Sequence, residues 1–546
     1  MKKIPIGIDN FEELIRKDYY FVDKSLFIKE IIDEGSKILL LPRPRRFGKS
    51  LNMSMLRYFF NLKNAEKNRE LFNGLLIEKE EAMDKQGKYP IIYMSFKDVK
   101  ELTWENCYGK TTSIIRNIFI ENKYLLETID PFMEDLFISI AKGQGSQIDY
   151  ENSLKFLCEL LYKYHGVRPI ILIDEYDQPI ISAYMNEYYK EGISFYRNLL
   201  SAALKDNDYL EKAVLTGILR VAKESIFSGL NNLYVDSILS NQFDYFGLKE
   251  YEVIEMLSHY NREYEIQDVK EWYNGYVFGQ SLVYNPWSII NFIKDDELKS
   301  YWVNTSTNDL IKLLLSNISK SNYDLLVDLT KGEDIEITIE DHTSFENLER
   351  EGTVWNLMLF SGYLSLTLDK KVRFVNKEVR NFYITSFKDL AGSDTGEFNR
   401  LLKFLMNRDL KNFKGFLQEL FYKAVSYYDV GKEEKYYHNL MLGFVFGLSD
   451  KYIIHSNREY GTGRVDLALK SKDGKLPNYI FEFKVSKKME DLESDCEKAL
   501  AQIEEKKYGM EIEDPVKIGM SFYGKEFDIR IKELTIENGK LTIKGN

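Results

Sequence analysis

The sequence predicts a multidomain α/β protein: a parallel sheet with crossover helices, a helical subdomain after it, and a small second α/β domain at the C-terminal end. Three observations predict this. The chain has 546 residues, more than one core sustains, because hydrophobic cores stop growing at about 250–300 residues. Up to about residue 235, continuous apolar runs alternate with longer helical stretches, as in a parallel sheet with helical crossovers. From 434 onward the pattern restarts as helix, three strands, helix and further strands.

In the first part the strand candidates are KILLL (37–41), YPIIYMSF (89–96), RPIILIDE (168–175) and KAVLTGIL (212–219). Each is apolar along its length, as strands covered on both faces are. From 236 to 330 the pattern is mostly helical. It is interrupted by WYNGYVFGQSLVYNPWS (272–288), a stretch rich in Gly, Asn and Tyr that reads as a loop of a lid. A helical and mixed connector is expected over 331–410, followed by a domain over 411–546. In that domain the helix is expected at 434–448, strands at 451–456, 463–470 and 478–485, a helix at 488–508, and strands near 516–523 and 527–542. The expected first module is 1–235.

Usage of 44% hydrophobic and 29% charged residues is that of a globular chain, and the 14% aromatic share comes without a low-complexity tract. No apolar run approaches the 20 or so residues a membrane span needs, and the first residues, MKKIPIGIDNFEELIRKD, lack an apolar signal region. The expectation is a cytoplasmic protein with no membrane partner. Cys107, Cys158 and Cys496 are odd in number and far apart, so neither a disulfide framework nor a thiolate zinc site is expected. The net charge of −12 argues against indiscriminate coating of nucleic acid. Basic and acidic residues balance from 411 onward, which leaves room for a basic face there.

After KILLL comes PRPRRFGKS and then the helical LNMSMLRYFF. A phosphate-binding loop needs a glycine where amides approach phosphate, a lysine for the terminal phosphates and a hydroxyl for Mg²⁺ at a helix N-terminus. Gly48, Lys49 and Ser50 supply them, although Arg43 stands where the full pattern has its first glycine. Arg43, Arg45 and Arg46 are expected to add positive potential at the nucleotide. RPIILIDE ends in Asp174 and Glu175: Asp174 is expected to hold Mg²⁺, and Glu175 to polarise the attacking water as a catalytic residue. The strand AVLTGILR would bring Thr216 beside these acids. Arg220 would reach the γ-phosphate in cis, or a neighbouring subunit of a homo-oligomer in trans.

RPRRFGKSL, ILIDEYDQPI, TGILRVAKESIFSGLNN, WYNGYVFG with VYNPWS, YWVNTS and LFSGYL together resemble the AAA-ATPase-like family, over most of residues 3–310. The resemblance implies a P-loop NTPase sheet that binds ATP, and it makes Arg43 a family trait.

In the C-terminal part, GRVDLALKSKDGKLPNYIFEFKV (463–485) places Asp466 on one strand and Glu-x-Lys on the next. Val465, Leu467 and Leu469 share one face, and Phe481, Phe483 and Val485 share another, so Asp466, Glu482 and Lys484 are free to share the polar face. Cleaving a phosphodiester at neutral pH needs divalent ions held by acids. Asp466 and Glu482 are the expected ligands of Mg²⁺ or Mn²⁺, with Lys484 orienting water or stabilising developing charge. Directly opposed residues share a face, so the two acids meet only if the hairpin has an odd loop or a bulge. A strict two-residue Asp473-Gly474 turn would separate them. Glu434 is a candidate further acid, and Gln502 and Tyr508 candidate polar contacts near the metal.

EKYYHNLMLGF, SNREYGTGRVDLALK, YIFEFKV and ALAQIEEKKYG, in this order, resemble the PD-(D/E)XK nuclease superfamily over about 430–525. That implies a restriction-endonuclease-like fold with Asp466, Glu482 and Lys484 at its catalytic positions. Glu434 and Gln502 match by position, and Val465 stands in place of the signature proline. The combination implies an ATPase and a Mg²⁺-dependent nuclease with nucleotide and nucleic acid, foremost DNA, as partners. The alternative is a nucleotide-dependent switch or nucleic-acid-binding protein that does not cut.

Overall fold

A computed structural model describes residues 1–220, 227, 232–240, 242–262, 266–303, 320–340, 352–390, 395–424, 434–445, 448, 451–508, 512–537 and 540–545. Parts of three motifs quoted above, VAKESI and SGLN of 216–232, NTS of 301–306 and the final glycine of 499–509, lie outside them. The described chain divides into two compact units, Met1–Val379 and Arg380–Asn546.

The first unit is built on five strands: β1 (Ile38–Pro42), β2 (Ile91–Ser95), β3 (Ile170–Asp174), β4 (Lys212–Gly217) and β5 (Leu233–Val235). They are parallel throughout and lie in the order β2-β3-β4-β1-β5. β1 and β3 are buried at every position, which is why their sequences do not alternate. The fifth strand, LYV, is short and only partly buried, so it lacks the long apolar run that marks the other four.

Register decides what meets at the carboxyl ends. Leu41 pairs with Thr216 and Pro42 with Gly217, while Ser95 pairs with Asp174. The loop after β1, the acids ending β3 and the threonine of β4 therefore reach the same edge. In open α/β sheets that edge is where ligands bind.

Beyond 236 the unit is helical, with Glu250–His259, Ile266–Tyr273 and Pro286–Asp295 packed around Leu257, Tyr273, Ile289 and Phe292. The 272–288 stretch, expected as a loop, contains an antiparallel hairpin, β6 (Tyr276–Phe278) and β7 (Ser281–Val283). Tyr276, Phe278 and Val283 are buried in it. A second hairpin, β8 (Leu364–Leu366) and β9 (Val372–Phe374), follows.

In the second unit six strands form one sheet in sequence order: β10 (Tyr452–Tyr460), β11 (Gly463–Ser471), β12 (Asn478–Val485), β13 (Pro515–Tyr523), β14 (Glu526–Glu537) and β15 (Lys540–Gly545). Only β12 and β13 are parallel, and the helix Leu492–Glu505 makes their crossover. The expected strand at 527–542 is two strands, β14 and β15, paired antiparallel. The helix Leu410–Ala424 goes with this sheet: Phe421 stacks on Phe522, and Lys414 pairs with Asp528.

Candidate functional site

The first site grows from the loop between β1 and the helix Lys49–Phe60. Gly48 caps that helix at φ +83°, a left-handed conformation that glycine takes without steric cost. Ser50 donates its hydroxyl to Asp174 Oδ2 at 2.6 Å, and Thr216 donates to Asp174 Oδ1 at 2.6 Å. The structure thus gathers Ser50, Asp174 and Thr216 around one buried carboxylate. Lys49 is 5% exposed and donates to the carbonyls of Arg43 (3.0 Å) and Pro44 (2.9 Å). Burial lowers its pKa, while Glu175, Asp174 and Asp177 oppose that shift.

A cleft of about 410 Å³ opens over these groups. Arg45, Arg46, Lys49, Ser50 and Glu175 line it together with the apolar Ile8, Val22, Leu248, Met256 and Ile290. Its lining thus offers cations suited to phosphate and apolar side chains suited to a flat group. Arg46 (φ +66°) and Glu175 (φ +53°) both hold left-handed backbone without being glycine. Such conformations cost about 1–2 kcal/mol each and concentrate at functional sites. Arg46 lies over the Trp287 ring at 4.2 Å.

Two of the expected residues do not join this cluster as expected. Arg43 does not face the cleft: it is wholly buried, paired with Asp236 at 2.6 Å and placed over the rings of Phe246 and Phe278. Arg220 is not among the residues lining the cleft. It follows Ile218 and Leu219, whose N–H groups both donate to Asp177 Oδ2 at 2.8 Å. Asp177 is the residue that motif reading passed over. Tyr176 reinforces the clamp by donating to the Leu219 carbonyl. Burial pushes the Asp177 pKa up to about 6, against those two N–H groups.

The second site lies on β11 and β12. Leu467 pairs with Phe481, Ala468 with Ile480 and Leu469 with Tyr479. An odd number of residues separates each pair, so the parity that Asp466 and Glu482 require is met, and the register continued by one places them opposite each other. Asn478 accepts from the Ser471 N–H at 2.7 Å, closing a loop longer than a two-residue turn. At the acids the ladder gives way: the Phe483 N–H donates to Asp466 Oδ2 at 2.7 Å.

Glu482 is 1% exposed. Gln502 donates to its Oε1, and Lys484 Nζ lies 3.5 Å from the same oxygen. Its other oxygen, Oε2, is buried with no hydrogen-bond partner among the described residues. Lys484 also donates to the Phe483 carbonyl and sits 3.7 Å from Glu434. Burial raises the pKa of Glu482, and the neighbouring Asp466 charge adds to it. Burial raises that of Asp466 too, against the Phe483 N–H. Tyr508 is buried beside Gln502, and burial lifts its phenol as well.

His438 was not assigned a role from sequence. Its Nε2 lies 2.8 Å from the Asp466 carbonyl and 3.1 Å from Ser456 Oγ. A carbonyl only accepts, so Nε2 carries a hydrogen, and His438 fixes the backbone on which Asp466 stands. Its position one turn after Glu434 on an apolar helix was the available signal.

Among the described residues no three His, Cys, Asp or Glu side chains converge as a ready-made metal cage. The donor set is instead two facing carboxylates, one with an orphaned oxygen. That set fits a hard divalent ion that completes its shell with water and phosphate oxygens.

Comparison with known proteins agrees with this division. Residues 5–227 match a family described as predicted AAA-ATPase, AAA-ATPase-like, and residues 432–532 match the PD-(D/E)XK nuclease superfamily. Over 321 residues the chain is 31% identical to the uncharacterized protein in the vnfD 5′ region of Azotobacter chroococcum mcd 1. The alignment covers 58% of this chain and 56% of that protein, so the chain spans little more than half of the relative.

Proposed function

Since the chain joins an AAA-ATPase-like module to a PD-(D/E)XK nuclease-superfamily domain, we propose that it is a nucleotide-dependent nuclease. It binds and hydrolyses ATP, and its nucleotide state governs metal-dependent phosphodiester cleavage of nucleic acid, foremost DNA. The modules are 1–235 as ATPase core, 236–330 as lid, 331–410 as connector and 411–546 as nuclease domain.

At the first site, Gly48, Lys49 and Arg46 hold the phosphates, and the apolar side chains lining the cleft take the base. Ser50 and Asp174 hold Mg²⁺, Thr216 fixes Asp174, and Glu175 orients the attacking water. Arg220 answers to the terminal phosphate or to a second subunit.

At the second site Asp466 and Glu482 hold Mg²⁺ or Mn²⁺, with Glu434 as an outer acid. Bound there, the ion polarises the phosphate and lowers the pKa of its water. Lys484 stabilises charge developing on the phosphate, and Gln502 and Tyr508 hold Glu482 in place. The observation that carries this reading is the buried, partnerless Oε2 of Glu482. A carboxylate oxygen taken out of water without a donor is costly, and a cation beside Asp466 removes that cost.

No helix among the described residues is long and apolar enough to cross a membrane. The three cysteines are buried and unpaired, which suits the reducing cytoplasm in which we place the activity.

The test is cleavage of single- and double-stranded DNA and of RNA with Mg²⁺ or Mn²⁺, with and without ATP, by the wild type and Glu482→Gln. Metal-dependent cutting that the variant lacks supports the reading. ATP and nucleic-acid binding without cutting on any substrate selects the non-cleaving switch.

A further inference from the structure

The five residues that precede Gly48 each meet the part of the first unit beyond residue 235. Arg43 pairs with Asp236. Pro44 lies against Gly362 so closely that a Cβ there would come within 2.8 Å of it. The Arg45 carbonyl accepts from the indole N–H of Trp302 at 3.0 Å. Arg46 lies over Trp287, and Phe47 packs edge-on against Tyr276 at 4.8 Å.

The Trp302 contact fixes the Arg45–Arg46 peptide plane, while Lys49 holds the carbonyls of Arg43 and Pro44 and the Gly247 N–H donates to that of Phe47 at 3.3 Å. Trp302 is 2% exposed, its ring against Tyr276 and Tyr363. Its backbone N–H donates to Glu378 Oε1, as does that of Tyr301 at 2.6 Å, and Ser288 donates to Glu378 Oε2 at 2.8 Å. Glu378 is fully buried, so the anchor behind the indole is itself held on both oxygens.

A trans peptide holds its C=O and N–H in one plane, pointing in opposite directions. Pinning the Arg45 carbonyl to Trp302 therefore turns the Arg46 N–H the other way. A phosphate-binding loop works through amides aimed at the anion, and a flipped plane would offer it a carbonyl instead. Arg46 holds an unfavourable left-handed backbone at this junction, so a pin is needed to keep the plane set.

We infer that Trp302, anchored by Glu378, is a positioning residue of the nucleotide site: it orients the Arg45–Arg46 peptide so that the Arg46 amide faces the cleft lined by Lys49 and Ser50. This rests on the nucleotide reading above. It makes phosphate affinity depend on a tryptophan 257 residues from the carbonyl it holds.

The experiment is calorimetric titration of the full chain with ATP and Mg²⁺, comparing Trp302→Phe with Trp355→Phe. Trp355 is an internal control: it is 1% exposed and its indole N–H donates to Asn322 at 2.9 Å. Each substitution removes one buried indole hydrogen bond and keeps an aromatic ring. The expected result is a similar fall in Tm for both, with the Kd for ATP raised about tenfold by Trp302→Phe and less than twofold by Trp355→Phe. Equal Kd changes in the two variants, or none in Trp302→Phe, overturn the inference. If Trp302→Phe does not fold, Glu378→Leu, which leaves the Tyr301 and Trp302 N–H groups no acceptor, decides: a Kd raised severalfold supports the relay, and an unchanged one overturns it. A wild type that does not bind ATP overturns the nucleotide reading, and this inference with it.

Discussion

Ser50 donates its hydroxyl to Asp174 Oδ2 at 2.6 Å, joining the helix that follows β1 to the end of β3 across the intervening strand β4. Thr216 of β4 holds the other oxygen. The carboxylate is thereby aimed before any nucleotide arrives, and little reorganisation is left for binding.

Removal of the lysine tests that site most directly. Lys49→Ala is expected to weaken ATP binding at least tenfold, about 1.4 kcal/mol, while leaving the circular dichroism spectrum unchanged. Calorimetric affinity within twofold of the wild type would count against the phosphate role.

Restoring the missing glycine is expected to harm the protein. Arg43→Gly rewrites the loop toward the full phosphate-loop pattern, yet it strips the charged partner from the wholly buried Asp236 and leaves it the Ser240 hydroxyl and the Gln242 and Phe243 N–H groups. Breaking one side of a buried pair costs about 3–5 kcal/mol. Denaturant unfolding should show a loss of that order, and an unchanged midpoint would mean that the Ser240, Gln242 and Phe243 donors suffice for Asp236.

Glu482→Gln separates stability from chemistry. The variant loses the proposed metal ligand, so nuclease rate with Mg²⁺ should fall at least about a hundredfold. It also replaces a buried carboxyl whose charged form burial disfavours. Metal-free Tm should then rise about 2–4 °C, as for a gain near 1 kcal/mol. A fall in Tm would mean that the charged form is the stabilised one.

Asp177 supplies the pH dependence. Its folded pKa of about 6 lies above the ordinary value of 3.8, so the folded chain holds this proton more tightly than the unfolded chain. Its contribution to stability is therefore fully present below about pH 3.8 and lost as pH rises through 6. Asp177→Asn keeps an oxygen for the Ile218 and Leu219 N–H groups and cannot ionise. Unfolding free energies measured from pH 4 to 7 should show a flatter slope for Asp177→Asn than for the wild type; parallel curves would remove Asp177 as the cause.

Much of the architecture is written locally. Strands covered on both faces, such as ILLLP and IILID, leave continuous apolar runs, and strand ends leave Asp174 and the glycine-lysine-serine turn at readable places. The parity argument was likewise local: it required an odd hairpin loop for Asp466 and Glu482, and the register supplies one. The 276–283 hairpin escaped because its strands have three residues each, too few to show a period.

What the sequence by itself determined was which residues carry chemistry, since hydropathy period and turn residues act over a few positions. What only the tertiary structure decided was how those residues are held. Arg43 turns inward because Asp236 waits 193 residues away, and Trp302 reaches Arg45 across 257. Gln502 closes on Glu482 only once the crossover helix lies on β12 and β13. Such contacts depend on strand order and helix packing, which no local pattern encodes, because the partners share neither a turn nor a strand until the chain has folded.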